Sequence, residues 1–463
     1  MGGDGVVSLM PPRRFRVILR AFLLAVFGVL FIFIVGVSGW LRPIADDYCL
    51  GSSASRGLFA GLANHLGWAD SILTASVQFL SAGIPLVLTP AFLSSSFPFV
   101  MSGVSVGILT TVAMGELLGP SKFARLSVTL ILAVGWWLHL RVAGLMLVPS
   151  GEDSVGVRPA VMAQIFTHWQ TINGALIPVA LVLTVFIIIY RNPHAEMGRK
   201  LGVSLFLGFL LGVSGFMFSL TFLVVFTALA IVGLLVQNGS RWREDLAIAS
   251  GILVGIAVVL ALPGTRARVE TNGNLSLETL GIAIRNLPAG LVDWFDMVFS
   301  YSTLFAVALG FLLQLAFGNY RKTAPIKHPQ VATPVVLGLA SLVFWMLQQI
   351  AETVVYNGVW HFSIAYLLAY VAAAALGAHL GRAAIFFQRP SPELAATGVA
   401  GALTLVILVS SFAGIAAGTY QANVFERHAR WEAGPAAVRE LPFAPDREFE
   451  WVNACYVSWV SDR

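Results

Sequence analysis

Charge is what this sequence has least of. Asp, Glu, Lys and Arg together make up 11% of 463 residues, against roughly 25% in a soluble globular domain. Hydrophobic types reach 57%, and the mean hydropathy is +0.83. No water-soluble fold of this length hides so much apolar surface. A soluble enzyme, a nucleic-acid-binding protein and a disordered chain are therefore excluded. Cysteine is nearly absent, with two residues, so no Cys-based zinc or iron–sulfur site is expected. The eight histidines are scattered without metal-ligand spacing, and no metal is expected. No internal repeat of the kind that builds transporters is visible.

What is present is a series of apolar runs. A span needs about 20 mainly apolar residues. Eleven windows qualify: 20–41, 98–118, 126–148, 172–190, 201–215, 218–236, 246–263, 297–316, 333–350, 362–381 and 396–417. The expected fold is an all-α integral membrane protein of about eleven transmembrane helices. The membrane domain covers 1–417 and a short tail covers 418–463. Residues 201–236 carry no charge and are too long for one span, so the chain is divided at Ser214-Gly215. Residues 78–93 are apolar but broken by Pro85 and Pro90. They are read as an interfacial or re-entrant segment of a first outer loop over 42–97, which is expected to carry juxtamembrane helices.

The few charges fix the orientation. With the N-terminus inside, the inner loops collect sixteen basic residues, including Arg13, Arg14, Arg16, Arg20, Lys122, Arg125 and all four lysines. The formal +5 then divides into +10 inside, −6 outside and +1 within the membrane at Arg141. That is the positive-inside pattern. A twelfth span at 78–93 would reverse it. The C-terminus falls outside. The first span is longer than a signal peptide's apolar region and is read as a retained anchor.

The inner loops are short connectors, so chemistry is expected on the outer face. Asp46-Asp47-Tyr48-Cys49 follows the first span after Pro43. Neighbouring carboxylates at a low-dielectric edge repel, which suits one of them to take a proton from a hydroxyl. The same acids also suit a solvated loop or a helix cap. Arg266 and Arg268 break the charge bias on the outer side. They fit a lipid phosphate or plain interfacial snorkelling. His168-Trp169-Gln170 and the His361 region offer rings and amides for a sugar, or an interfacial aromatic belt. His139 and Arg141 lie inside the third span. Cys49 and Cys455 both fall outside, where disulfides persist, and are expected to bond to each other.

These landmarks, in this order, resemble the bacterial polytopic glycosyltransferases of the GT-C superfamily, above all the glucosyltransferases that decorate O-antigens and similar cell-surface polymers. The resemblance rests on Ala45-Asp46-Asp47-Tyr48-Cys49 after the first span, His168-Trp169-Gln170-Thr171 opening the fourth, and Pro263-Gly264 through Arg268 after the seventh. Ala429-Arg430-Trp431-Glu432 and Asn453-Ala454-Cys455 in the tail add to it. It implies an enzyme of the bacterial inner membrane that uses a polyprenyl-phosphate sugar donor. The sugar passes to an extracytoplasmic glycan or lipid-linked acceptor, with inversion and without a required metal, though the acidic pair leaves room for a divalent cation. Asp46 or Asp47 would be the general base. Arg268, with Arg266, would hold the donor phosphate, and Tyr48, His168, Trp169, Gln170 and His361 would line the sugar and acceptor pocket. The alternative is a transporter or flippase for a lipid-linked sugar. Its partners would be the bilayer and the lipid-linked sugar; neither reading involves nucleic acid.

Overall fold

The computed structural model describes residues 13–38, 46–69, 71–84, 87, 91–118, 121–146, 197–235, 241–266, 276–318, 328–355 and 362–387. Those residues are almost entirely helical, and no strand occurs among them. In chain order the helices are α1 (Arg13–Ser38), α2 (Asp46–Ser55), α3 (Leu58–Trp68), α4 (Leu73–Gln78), α5 (Ala91–Met114), α6 (Lys122–Met146) and α7 (Met197–Gly212). They continue with α8 (Phe216–Leu235), α9 (Arg241–Ala261), α10 (Leu277–Val298), α11 (Tyr301–Phe317), α12 (His328–Val355) and α13 (Phe362–Phe387).

Among the described residues, five helices are long and apolar enough to cross a membrane, and six if α10 and α11 form one bent span. The helical and membrane-like character matches expectation; the number eleven is not reached. Expected spans 172–190 and 396–417 lie outside the described residues, as does the tail 418–463. The apolar helices Gly103–Met114 and Lys200–Gly212 are shorter than a span.

Contacts between the helices show which ends lie together. Arg20 Nε donates to the Ala316 carbonyl at 2.6 Å, and Leu118 pairs with Gly318 in an isolated antiparallel bridge. The start of α1 and the ends of α5 and α11 therefore share one end of the bundle. α1 thus begins at the end where α5 finishes. Residues 73–84 are helical, with a π-helical stretch at Phe79–Gly83, and these twelve residues cover only about 18 Å.

Glycines make the helix pairs close. Gly208 and Gly212 of α7 face Ile248, Ile252 and Gly255 of α9, while Gly251 meets Leu205 and Phe209. Both helices carry the glycine-x3-glycine spacing (208–212 and 251–255) that lets backbones touch in lipid, where packing rather than the hydrophobic effect drives association. The rising register shows α7 and α9 running parallel. Gly377 lying between Val307 and Phe311, and Gly381 between Phe311 and Gln314, give the same rising register for α11 and α13, with Gly310 packed on Ala374. Gly107 against Thr129, with Gly103 against Ala133, sets α5 antiparallel to α6. Consecutive expected spans alternate in direction, so a pair separated by one further span should run parallel, as both glycine pairs do.

The turn between α7 and α8 falls where the uncharged run was divided. Gly215 has φ +135°, a conformation that side chains resist. Ser219 Oγ donates to the carbonyls of Leu211, Gly212 and Gly215 at 3.0, 2.8 and 2.8 Å. It thus meets carbonyls that the end of α7 leaves open.

One expected loop is a helix. Residues 264–296, between the expected spans 246–263 and 297–316, are expected as an outer loop. Instead α10 begins at Ser276, whose side chain and Thr279 form a reciprocal capping box. It runs to Val298 and meets α11 at a 42° bend.

Candidate active site at the end opposite Arg20

The first loop is fastened to the bundle at a defined place. The Ile72 and Leu73 amides donate to the Val213 carbonyl at 3.1 and 3.0 Å, and the Thr74 hydroxyl donates to the Ser214 carbonyl. The helices after the acidic pair are thus held at the α7–α8 turn. Phe218 at the start of α8 packs on Phe344 of α12, with ring centroids 5.3 Å apart. Ser341 of α12 donates to the Ala365 carbonyl near the start of α13 at 2.8 Å. Since α13 runs parallel to α11, this end lies opposite Arg20. The turn that follows α9, parallel to α7, belongs to the same end.

The backbone places Asp46, Asp47 and Tyr48 in the first turn of α2. The first turn is the positive end of the helix dipole. Cys49, next in sequence, is buried and disulfide-bonded. The α2–α3 hairpin is tied by side chains: Asn64 Nδ2 donates to Ser53 Oγ at 3.0 Å, and Arg56 donates to Asn64 Oδ1 at 3.2 Å. Gly61 lies against the Ser53 carbonyl so closely that a Cβ would clash with it. His65 is buried and stacks on Phe79, centroids 6.2 Å apart. That contact joins α3 to the π-helical stretch.

Arg266 is exposed. It ends a single helical turn over 263–266, closed by its amide to the Leu262 carbonyl at 3.2 Å. Thr265 beside it is buried, and its Oγ1 has no hydrogen-bond partner among the described residues. A buried hydroxyl without a partner costs free energy, about 1–3 kcal/mol. Arg268, His168, Trp169, Gln170, His361 and Cys455 lie outside the described residues.

Two features escaped the sequence reading. The first is the polar side of α10. The second is a buried cluster around His139, which stacks on Trp136 (5.7 Å between centroids) and lies 5.0 Å from the Tyr370 ring. Its Nδ1 donates to the Ser302 carbonyl at 2.8 Å, leaving Nε2 as a lone pair with no partner. The Tyr370 hydroxyl donates to the Leu132 carbonyl at 2.8 Å. Trp136 and His139, three apart on α6, hint at a shared buried face, but nothing in sequence joins them to α11 or α13.

The arrangement fits a chemistry that needs carboxylates and cations beside a bilayer on one face of the protein. No known family, curated protein or solved structure matches the chain.

Proposed function

We propose that the chain is a membrane glycosyltransferase of the GT-C type, in a bacterial inner membrane with its N-terminus cytoplasmic and its C-terminus and site extracytoplasmic. It moves a sugar from a polyprenyl-phosphate donor to a cell-envelope glycan or a lipid-linked acceptor. The observation that carries this reading is the placement of Asp46 and Asp47 in the first turn of α2, in a loop docked on the α7–α8 turn. Arg266 stands at the same end of the bundle.

In this reaction one carboxylate takes the proton of an acceptor hydroxyl. The oxygen attacks the anomeric carbon from the face opposite the phosphate, which inverts the centre. The anomeric C–O bond breaks, and its electron pair leaves with polyprenyl phosphate. Charge builds on that phosphate as an oxocarbenium-like centre forms. Arg266 and Arg268 neutralise it, and the Thr265 hydroxyl adds a donor. Tyr48, His168, Trp169, Gln170 and His361 shape the sugar pocket. A Cys49–Cys455 bond holds the tail over the acidic pair. The bilayer holds the polyprenyl chain, which is why a sugar-transfer enzyme is so apolar.

Purified protein given a panel of polyprenyl-phosphate sugars and a glycan acceptor should release polyprenyl phosphate. The double variant Asp46→Asn, Asp47→Asn should not, while keeping its thermal stability. Full activity in the double variant would remove the base assignment. If no donor is consumed, the enzyme reading fails and movement of a lipid-linked sugar across vesicles becomes the measurement.

A further inference from the structure

Helix α7 is too short to cross a bilayer. Its uncharged part, Leu201 to Gly212, covers about 18 Å, against an apolar core of about 30 Å. The neighbouring helices supply a scale for where it stops. Gly212 lies against Ile252 and Gly255 of the parallel α9, and these stand near the middle of the uncharged run Leu246–Thr265. Gly233 of α8 lies against Trp242 of α9, and counting back along α8 from that contact sets Phe216 level with Val259. By either scale the α7–α8 turn stops inside the apolar layer, short of Arg266.

The hydrogen bonding of the turn fits that depth. Every carbonyl from Phe209 to Gly215 accepts a bond from the protein itself. The Val213 amide donates to Phe209, and the Ser214 hydroxyl and amide donate to Leu210 and Leu211. The Ser219 hydroxyl serves Leu211, Gly212 and Gly215, and the first loop serves Val213 and Ser214. Val213 and Ser214 are 3% and 1% exposed. A turn in water can leave carbonyls to the solvent; a turn among acyl chains cannot.

The donors from the first loop come from the tip of a helical hairpin. One arm is α3 and the other is the helical stretch 73–84. His65 of the first arm stacks on Phe79 of the second, and a Cβ on Gly61 would also meet Phe79, so the arms run side by side. Ile72, Leu73 and Thr74, where the chain reverses, are the residues bonded to the α7–α8 turn. Each arm is about 16–18 Å long, enough to climb from the turn to the level of Arg266. Phe59, Ala63 and Gly67, four apart on α3, form one exposed apolar face, and Gly67 has open space around it. The one formally charged residue between Leu58 and Ile84 is Asp70. Its neighbours Ala69 and Ser71 are buried in protein, which is where a carboxylate at this depth belongs.

We infer that residues 58–84 form a re-entrant hairpin whose partner is the bilayer. It enters the apolar layer from the face opposite Arg20 and seats its tip on the α7–α8 turn. Its Phe59–Ala63–Gly67 face lies against the acyl chains of that leaflet. The hairpin thereby fills the part of the layer that α7 and α8 do not reach. This inference does not depend on the proposed catalytic chemistry.

The test uses full-length protein in lipid bilayers, carrying single spin labels. Their collisions with oxygen, which concentrates in the apolar layer, are compared with their collisions with a water-soluble nickel chelate. Cys49 is disulfide-bonded and takes no label, and the unsubstituted protein gives the background. The oxygen-to-nickel ratio should rise severalfold from Arg56→Cys through Ala63→Cys to Gly67→Cys. At Gly67→Cys it should approach that of Val254→Cys, on the exposed side of α9. If Gly67→Cys does not fold, Ala63→Cys against Arg56→Cys decides. Equal ratios along α3 would overturn the descent into the layer. A ratio at Gly67→Cys as low as at Arg56→Cys would overturn the lipid contact.

Discussion

Arg20 and Ala316 are 296 positions apart, yet the Arg20 guanidinium donates to the Ala316 carbonyl at 2.6 Å and stands 5.4 Å from the centre of the Phe317 ring. A cation is placed against the negative end of α11. The same contact joins the first helix to a much later one and marks one end of the bundle.

Arg20→Gln should lower stability by about 1–2 kcal/mol, from the lost charge-assisted bond and dipole interaction. A fall in thermal midpoint in detergent measures this. Arg14, exposed on the same helix, is the control, and Arg14→Gln should change the midpoint little.

The α7–α9 contact should fail when a side chain is forced into it. Gly251→Leu or Gly255→Leu should cost about 3 kcal/mol or more, above the usual range for overpacking, because the obstructing atoms are backbone. Gly198→Ala, with open space around it, should leave stability unchanged. Thermal unfolding of the three proteins separates the two cases.

His139→Phe keeps the ring stack but leaves the buried Ser302 carbonyl without its imidazole donor. A loss of about 1–3 kcal/mol is expected. Tyr370→Phe should cost less, because the Leu132 carbonyl remains within α6. Unfolding midpoints that rank His139→Phe as the milder variant would refute this account.

Cys49 is disulfide-bonded, and Cys455 is the chain's other cysteine. Non-reducing peptide mass spectrometry should find the two joined. Such a bond closes a loop of about 400 residues, so reducing it should destabilise the protein by several kcal/mol on the chain-entropy argument. A free Cys455 thiol in the native protein would refute the pairing.

Much of the architecture was readable because a bilayer imposes simple demands. Twenty apolar residues mark a helix, and Ser214-Gly215 marks a turn where an uncharged run is too long. Proline breaks at Pro85 and Pro90 keep the stretch 78–93 from reading as one continuous apolar helix. α10 falls in the stretch 264–296 between two expected spans, where too few apolar residues run together to mark a helix. The acidic pair was legible as a motif. Its position in the first turn of a helix required the backbone, and its attachment to the α7–α8 turn required contacts between residues 140 positions apart.

Sequence alone determined that this is a helical membrane protein, since no other structure satisfies the backbone of so apolar a chain. Tertiary structure decided which helices touch. That choice depends on glycines aligning across two helices, as Gly212 does with Gly255, and a one-dimensional pattern does not specify such a match. The structure also decided that residues 277–298 form a helix packed on α12, because the bonds of Trp294 to Ser341 and of Trp345 to Gly290 join positions some fifty residues apart.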